Sequence, residues 1–391
     1  MKKIAVIGRG TAGCMSAAYF SKYGKVHGNF EIDWYYDPSI KPQAVGEGAN
    51  LTLPFRLHDS LNFSPADFEA IDATIKTGIY KRNWGKNQAP FLHAFPSPQT
   101  SIHFNALKLQ DFVADKIKDF VNIIPQNVNE DEVDADFVLC CNGKPKDFEE
   151  FEISKYIPVN SVFVTQCYWD FPKFDHTLTI ARPYGWVFGI PLKNRCSIGY
   201  LYNSDINTLE DVQEDVATIF NDYGLVPSKD TSAFSFKNYK RKENFHDRVV
   251  YNGNASFFLE PLEATSFGNV DSINWMAMNY WVHHNSKSFS ERKYNALIDG
   301  TENIIMLHYC SGSNFSSDFW EYAEERGRRC LENADASFRY MVENSNQPKG
   351  MQNWKEAFRG PDVPTVEHEF LYYSWHEGAF AQNIKGLGVR L

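Results

Sequence analysis

Residues 4 to 20, IAVIGRGTAGCMSAAYF, constrain the fold of this chain more than any other stretch. The apolar run Ile4–Ile7 predicts a buried parallel strand, and Gly8, Gly10 and Gly13 follow it with G-x-G-x-x-G spacing. In such a loop the first glycine permits a tight turn, the second leaves room for a pyrophosphate, and the third lets a helix pack against the strand. Free N–H groups at the start of that helix attract phosphate. The segment therefore predicts a dinucleotide-binding βαβ unit.

An acid follows where a dinucleotide site needs one. The second predicted strand, Phe30 to Tyr36, leads into Asp37, which lies 24 residues after Gly13. The expected spacing is ~20 residues for a carboxylate that binds a ribose hydroxyl. An acid rather than a basic residue favours FAD or NAD over a 2′-phosphorylated dinucleotide.

Composition narrows the class of protein. The 391 residues carry 39 basic and 49 acidic side chains, a net charge of −10, which argues against binding to nucleic acid or to anionic membranes. The 7 cysteines lack the spacing of a zinc site or a disulfide framework, so we expect a cytoplasmic protein without a metal centre. No apolar run reaches the ~18 residues of a transmembrane helix, and none is expected.

The pattern of elements predicts an α/β fold with a discontinuous nucleotide domain. We expect helices over residues 54–61, 65–71, 103–120 and 208–223, and a strand over 73–84 that carries Lys76 on one face. Residues 150–248 are rich in aromatic and β-branched residues and predict an inserted antiparallel β lobe for substrate. The predicted divisions are 1–149 for the first part of the nucleotide domain, 150–248 for the lobe, 249–285 for the return, and 286–391 for a helical region that completes the substrate site.

Several segments carry a joint pattern beyond the glycine loop. They are VGEG at Val45–Gly48, TIKTGIYKRNW at residues 74–84, GWVFGIP at Gly185–Pro191 and EPLEAT at Glu260–Thr265. Together they resemble the flavin-dependent halogenases, the family of the tryptophan halogenases and related phenol or pyrrole halogenases. The likeness runs from the N-terminus to about Trp320, where His308-Tyr309 and Phe319-Trp320 also resemble family positions.

The resemblance implies the cofactor and its contacts. The fold would be a glutathione-reductase-like Rossmann domain that binds FAD, used as FADH2. Besides the three loop glycines and Asp37, the implied contacts are Thr11, Ala12, Gly46, Glu47, Val128, Asn254 and Phe267. Because the sequence has one dinucleotide loop, a separate reductase would supply the reduced flavin.

Lys76 would carry the chemistry, because it lies in the segment that resembles the one bearing the family's essential lysine. Its neighbours in sequence are apolar or small, which would desolvate the ammonium and lower its pKa. The resemblance implies that Lys76 either holds hypohalous acid by hydrogen bonding or becomes a haloamine. Without it, the default interpretation of a lysine is a solvated surface charge.

Glu263 is the second candidate catalytic residue. By resemblance it would lie near Lys76 and the substrate, where it would polarise the oxidant or take the proton from the arenium intermediate. On structure-only grounds such a carboxylate more often ends a helix or forms a salt bridge. Glu260 is the nearby residue with a structural interpretation.

Thr265 and Ser266 resemble the halide site, whose backbone N–H groups would form an anion nest. Trp186, Phe188 and Pro191 would form an apolar wall that separates flavin from substrate and excludes water. The alternative interpretation of Thr265 and Ser266 is an ordinary turn. The alternative for the three wall residues is the core packing of a sheet. The chain departs from the family pattern in two ways: Phe188 replaces a tryptophan, and Ala264 and Ser266 replace the Ser and Gly beside Thr265.

The predicted activity is FADH2- and O2-dependent halogenation of a small electron-rich aromatic compound, through a flavin hydroperoxide and hypohalous acid. The alternatives are an aromatic monooxygenase on the same fold and a catalytically silent FAD-binding redox sensor. The altered halide segment favours bromide or iodide over chloride. The chain ends at Leu391, soon after Trp375 and Phe380, which predicts a relatively open substrate site. The natural substrate, the preferred halide, the reductase and any homo-oligomer stay open.

Overall fold

A computed structural model describes residues 1–27, 30–40, 47–344, 375 and 377–389. The helices are α1 Thr11–His27, α2 Thr52–Leu61, α3 Ala106–Ile117, α4 Leu209–Tyr223, α5 Ser266–Val282, α6 Lys287–Cys310, α7 Asp318–Glu332, α8 Ala336–Asn344 and α9 Glu377–Leu387. The first ten strands are β1 Lys3–Ile7, β2 Glu31–Tyr35, β3 Glu47–Gly48, β4 Thr74–Lys76, β5 Gly78–Arg82, β6 Phe91–Ala94, β7 Ser101–Phe104, β8 Asn122–Ile124, β9 Phe137–Cys140 and β10 Phe151–Ile153. The others are β11 Ser161–Tyr168, β12 Thr177–Arg182, β13 Gly185–Leu192, β14 Arg195–Tyr202, β15 Val226–Ser235, β16 Tyr239–Arg241, β17 Phe245–His246, β18 Val249–Tyr251 and β19 Phe257–Phe258.

A six-stranded sheet confirms the predicted α/β fold. Its strand order is β17-β18-β9-β1-β2-β8, and every pairing is parallel except that between β17 and β18. The central strands are apolar and buried, as expected of a parallel sheet covered by helices. Helix α1 leaves the end of β1 and packs against α3 and α5. The glycine loop therefore lies at the carboxyl edge of the sheet, where α/β folds bind their ligands.

A seven-stranded sheet forms the second layer. Its order is β15-β11-β14-β13-β12-β5-β6, antiparallel throughout except for the parallel pair of β5 and β12. Helix α4 packs on β11, β14 and β15 and closes a separate small core. The remaining strands of the described residues form two three-stranded sheets, β10-β16-β19 and β3-β7-β4. Strand β4 ends at Lys76 and the large sheet begins two residues later, so the candidate site lies where these sheets meet.

Three predicted elements differ in detail from the observed ones. His103 lies in strand β7, so the helix predicted over 103–120 starts too early; Asn105 caps α3 by accepting hydrogen bonds from Leu107 N and Lys108 N. The helix at Pro65–Ile71 is a 3₁₀ helix. The strand predicted over 73–84 is two strands, because β4 pairs with β7 whereas β5 pairs with β6 and β12. Within the described residues, no helix is both long and apolar enough to cross a bilayer.

Candidate active site

The glycine loop has the geometry of a dinucleotide cradle. Gly8 has φ +111°, and a Cβ there would lie 2.3 Å from the carbonyl oxygen of Cys141. A Cβ on Gly13 would lie 2.0 Å from the carbonyl oxygen of Gly8, whereas a Cβ on Gly10 would have nothing within 4 Å. Gly8 and Gly13 therefore permit close packing, and Gly10 keeps the space above the loop open. This arrangement fits a pyrophosphate at the start of α1.

Three further residues of the predicted dinucleotide site, Thr11, Ala12 and Asn254, lie beside this loop. Thr11 begins α1, and Ala12 lies against Gly253, where an added Cβ would come within 2.4 Å of the Ala12 Cβ. Asn254 follows Gly253 in the same 3₁₀ turn and is exposed. The turn that contains Asn254 therefore packs against the first turn of α1, where the phosphates would bind.

Asp37 lies two residues beyond β2 and is partly exposed. Its Oδ1 accepts hydrogen bonds from Ser39 N at 2.8 Å and Ser39 Oγ at 2.6 Å, and these bonds lower the pKa of Asp37. The carboxylate is thus ionised at neutral pH, as a ribose acceptor must be. Gly46 lies outside the described residues, and of Glu47 the structure describes the backbone, which begins β3.

The last two implied flavin contacts are apolar and buried. Val128 packs in a small cluster beside β1 and β9. Phe267 lies in the first turn of α5, and its ring meets that of Phe104 edge-on with centroids 5.5 Å apart. Their contact with the flavin stays a prediction.

Lys76 is completely buried at the end of β4. Among the described residues its Nζ has no hydrogen-bond partner. It lies near Gly48, where an added Cβ would be 3.6 Å from Nζ, 3.3 Å from Thr177 Oγ1 and 3.2 Å from the ring of His103. Burial lowers the pKa of Lys76 to about 7; Glu263 opposes this effect and Lys81 adds to it. A large fraction of Lys76 is therefore an uncharged amine at neutral pH.

His103 lies beside that amine. Its Nε2 is 2.9 Å from Thr177 Oγ1, and its Nδ1 is 3.4 Å from Thr74 Oγ1. Burial, and then the charge of Lys76, lowers the pKa of His103 well below its ordinary value. His103 is thus a neutral imidazole that adds no charge to the Lys76 site.

Glu263 lies at the centre of a buried polar cluster. One carboxylate oxygen contacts Lys81 Nζ and lies 3.3 Å from His308 Nε2, while the other accepts hydrogen bonds from His93 Nδ1 at 3.0 Å and Trp375 Nε1 at 2.9 Å. Burial alone would raise the pKa of Glu263, but Lys81, His93 and His308 outweigh it and hold the pKa well below its usual value. Glu263 is therefore an ionised carboxylate, and its direct cationic contact is Lys81 rather than Lys76.

The backbone at Glu263 and Ala264 has an unusual conformation. Glu263 has φ +68° and Ala264 has φ +52°, a conformation that side chains with a Cβ adopt at a cost of about 1 kcal/mol or more. This segment leads directly into α5, which begins at Ser266 with the buried Thr265 as its N-cap. The first N–H groups of α5 lack partners within the helix, which is the chemistry of an anion site.

The predicted apolar wall lies on β13. The rings of Trp186 and Phe188 have centroids 6.2 Å apart, and Phe188 covers Gly199, where a Cβ would be 2.1 Å from the ring. The carbonyl oxygen of Pro191 accepts a hydrogen bond from Thr74 Oγ1 at 2.6 Å. This bond ties the wall strand to β4, two residues before Lys76.

Glu260 fixes the orientation of Trp186. Its Oε2 accepts hydrogen bonds from Trp186 Nε1 at 2.8 Å and from Tyr309 OH at 2.9 Å. Burial raises the pKa of Glu260 to about 8, although both hydrogen bonds lower it. Glu260 is therefore a neutral carboxylic acid at pH 7, which supports its structural interpretation.

Sequence reasoning missed Lys81, His93 and Trp375 as partners of Glu263, and His103 as the neighbour of Lys76. One signal was available for Lys81: it lies two residues after Ile79 in β5, so both side chains point to the same face, and that face is buried. Among the described residues, no group of His, Cys, Asp and Glu side chains has an arrangement that could hold a metal ion.

The cysteines offer no sign of a redox sensor. All seven are free thiols, and six are buried. Burial raises the pKa of Cys141 to about 12. Burial also raises the pKa values of Cys140, Cys167, Cys196, Cys310 and Cys330. Because the thiolate is the reactive form, these six thiols have the environment of structural side chains.

Comparison with known proteins agrees with this geometry. The family described as "Tryptophan halogenase" matches residues 3–112 and 100–372. Tryptophan 7-halogenase RebH from Lentzea aerocolonigenes is 21% identical in an alignment that covers 99% of this chain and 89% of RebH.

Solved structures of similar shape include Xcc4156, a flavin-dependent halogenase from Xanthomonas campestris, with a TM-score of 0.77 and 18% identity over 100% of this chain and 89% of that one. Tryptophan 6-halogenase SttH from Streptomyces toxytricini has a TM-score of 0.76 and 17% identity over 99% of this chain and 90% of that one.

Proposed function

This chain belongs to the tryptophan halogenase family, and from that premise we propose that Lys76 handles the halogenating species in its reaction with an aromatic substrate. The family assignment makes the chain an oxidoreductase that uses FADH2, O2 and halide to halogenate an aromatic compound, and it disfavours the silent redox sensor and the monooxygenase. The observation that carries the proposal is the buried amine of Lys76, which has no hydrogen-bond partner among the described residues.

The reduced flavin, when bound, supplies with O2 the oxidising power that turns halide into hypohalous acid. Lys76 then holds that acid by a hydrogen bond or carries its halogen as a haloamine, and a partly neutral amine suits both roles. Its surroundings, the neutral His103 and the wall of β13, favour a site from which water is excluded.

Glu263 has a supporting role in this proposal. Its oxygens already face Lys81, His93, His308 and Trp375, and its side chain is fully buried. This arrangement favours an electrostatic role for Glu263 over direct removal of the arenium proton. Thr265 and Ser266, at the start of α5, would hold the halide through backbone N–H groups.

We also propose a broad substrate class, phenols and indoles, and a separate flavin reductase as the source of FADH2. A panel of such aromatics, with chloride, bromide and iodide in competition and products identified by mass spectrometry, tests the substrate class and the halide preference together. Acceptance of free tryptophan alone would contradict the broad substrate class. Faster turnover with chloride would contradict the preference for bromide or iodide.

Lys76→Ala tests the central proposal. We expect it to abolish halogenation while reoxidation of reduced FAD by O2 stays nearly unchanged, because oxygen consumption takes place at the flavin and Lys76 acts on its product. Lys108→Ala is the matched control, since Lys108 is an exposed lysine of α3 whose loss should change neither rate. Normal product yield from Lys76→Ala would overturn the assignment.

Glu263→Gln should lower halogenation less than Lys76→Ala does. Glutamine keeps an acceptor for His93 and Trp375 and removes only the charge that faces Lys81, whereas Lys76→Ala removes the amine itself. Even an acid–base role would contribute only about 10² to 10⁴-fold. Product formation and oxygen consumption, measured side by side for both variants, separate these effects. A Glu263→Gln defect as complete as that of Lys76→Ala would place Glu263 in direct contact with the reacting groups.

A further inference from the structure

A second buried lysine, Lys81, accompanies Lys76 in this site. Its side chain is completely buried, and its Nζ contacts a carboxylate oxygen of Glu263 and donates a hydrogen bond to Asn383 Oδ1 at 2.5 Å. The ring of Phe91 lies 5.5 Å from the same nitrogen. A buried ammonium needs partners of this kind, so Lys81 has the environment of a charged side chain.

Lys76 is equally buried, and the ring of Phe95 lies 5.7 Å from its Nζ, but among the described residues it lacks the polar partners that Lys81 has. No carboxylate of the described residues lies within 4.0 Å of its Nζ, and no described residue accepts a hydrogen bond from it. The carboxylate of Glu263 therefore interacts differently with the two lysines. Glu263 touches Lys81 and acts on Lys76 only from a distance.

We propose that Lys81 is a positioning residue for the reaction: it takes up the charge of Glu263 and leaves the amine of Lys76 without a counter-ion. In this arrangement Glu263 and Lys81 neutralise each other, and Asn383 and Trp375 hold the pair in place from the C-terminal part of the chain. The inference rests on the proposed function of Lys76.

The other titratable groups around the pair do not replace Lys81. Burial lowers the pKa values of His93 and His308, even though Glu263 opposes that change, so both are largely neutral at pH 7. His308 Nδ1 donates a hydrogen bond to the Ile304 carbonyl at 2.9 Å. His103, which faces Lys76, is also neutral. Burial also lowers the pKa of Lys81, but the charge of Glu263 and the hydrogen bond to it oppose that change. Because its Nζ contacts the carboxylate directly, Lys81 is the cation that balances Glu263 among these groups.

The test measures the pKa of Lys76 directly. Protein labelled with ¹³C-lysine and free of flavin is titrated by NMR through the Cε signals, and Lys76→Met assigns the signal of Lys76. In the wild type we expect titration near pH 7. In Lys81→Met the charge of Glu263 is no longer neutralised by Lys81 and acts on Lys76. The pKa of Lys76 should then rise by about 1 to 3 pH units, the usual effect of a nearby opposite charge.

Three further variants make the test decisive. Lys81→Arg keeps the cation and should leave the titration of Lys76 near pH 7. Lys81→Met combined with Glu263→Gln removes both charges, and the pKa of Lys76 should then fall back from the raised value expected in Lys81→Met alone. Lys81→Gln, which still donates a hydrogen bond to Glu263, repeats the neutral substitution in case Lys81→Met does not fold.

The pH profile of halogenation by folded variants, measured with chemically reduced FAD, should move with the NMR titration. An unchanged titration of Lys76 in a folded neutral variant would overturn the inference. The inference would also be overturned if Lys81→Met and Lys81→Gln both failed to fold while Lys81→Met combined with Glu263→Gln folded. Lys81 would then be a structural counter-ion only. Since the NMR measurement needs no turnover, it succeeds or fails independently of the halogenase assay.

Discussion

Lys76 should destabilise the folded protein in a pH-dependent way. Its pKa is 10.5 ordinarily and about 7 in the fold, a difference worth about 5 kcal/mol at ~1.36 kcal/mol per pKa unit. Between those values the unfolded chain binds more protons than the folded one, so the free energy of unfolding rises with pH. The cost is therefore full below pH 7 and fades as the pH approaches 10.5.

We accordingly expect Lys76→Met to raise the free energy of unfolding, by up to about 5 kcal/mol at pH 6 and by less at pH 9. Urea denaturation of the variant and the wild type at several pH values measures the difference. Lys108→Met, at an exposed site, is the control and should show no such trend. A gain that is the same at pH 6 and pH 9 would mean that the amine is not desolvated.

Glu260 should show the opposite pH trend. Burial raises its pKa from 4.5 to about 8, so its contribution to stability is full below pH 4.5 and is lost as the pH rises through 8. Glutamine retains a neutral acceptor for Trp186 and Tyr309. We expect Glu260→Gln to match the wild type near pH 4.5 and to become more stable than it by up to about 5 kcal/mol at pH 8, measured by the same denaturation series. An advantage that shrinks with rising pH would contradict a neutral Glu260.

At the level of elements, substitutions at two glycines of the loop should have different effects, one on cofactor binding and the other on stability. A side chain on Gly10 enters open space, whereas one on Gly13 meets the Gly8 carbonyl at 2.0 Å. Gly10→Val should therefore unfold at the same temperature as the wild type but bind FAD at least about tenfold more weakly. Gly13→Ala should lose about 1 to 3 kcal/mol of stability through overpacking. Thermal unfolding without flavin and titration with FAD distinguish the two, and normal FAD affinity in Gly10→Val would refute the cradle.

Local pattern predicted most elements of the fold, and pairing between distant strands accounts for two of the three differences. The glycine loop, α4 and the antiparallel strands within residues 150–248 follow from periodicity and turn residues. His103 was misplaced because its strand is defined by pairing with β3 and β4, which local spacing does not show. Likewise, Glu263 and Lys81 lie 182 residues apart and meet only in the folded chain. Their contact had no signal beyond the buried face of β5.

On the scale of the whole molecule, the proposed flavin and substrate parts would share one sheet. The large sheet takes β5 and β6 from residues 78–94 and its other strands from residues 161–235, so it draws on both sides of the proposed boundary at residue 150. We keep the division into 1–149, 150–248, 249–285 and 286–391 as a proposal. Lys76 ends β4 and lies two residues before β5, so it lies between the β3-β7-β4 sheet and the seven-stranded sheet. This position favours transfer of a reactive species between two sites.

The sequence has one G-x-G-x-x-G loop, and one such loop holds one dinucleotide. Hydride transfer requires the nicotinamide to be held against the flavin, and the chain shows no second loop to do so. We therefore expect the purified protein with FAD and NADH or NADPH, kept free of oxygen, to leave the absorbance of oxidised flavin unchanged. Chemically reduced FAD is the positive control and should support halogenation once O2 and halide are added, and an added flavin reductase should do the same with NADH. Rapid bleaching of the flavin by NADH alone would show that this chain binds both cofactors and needs no partner.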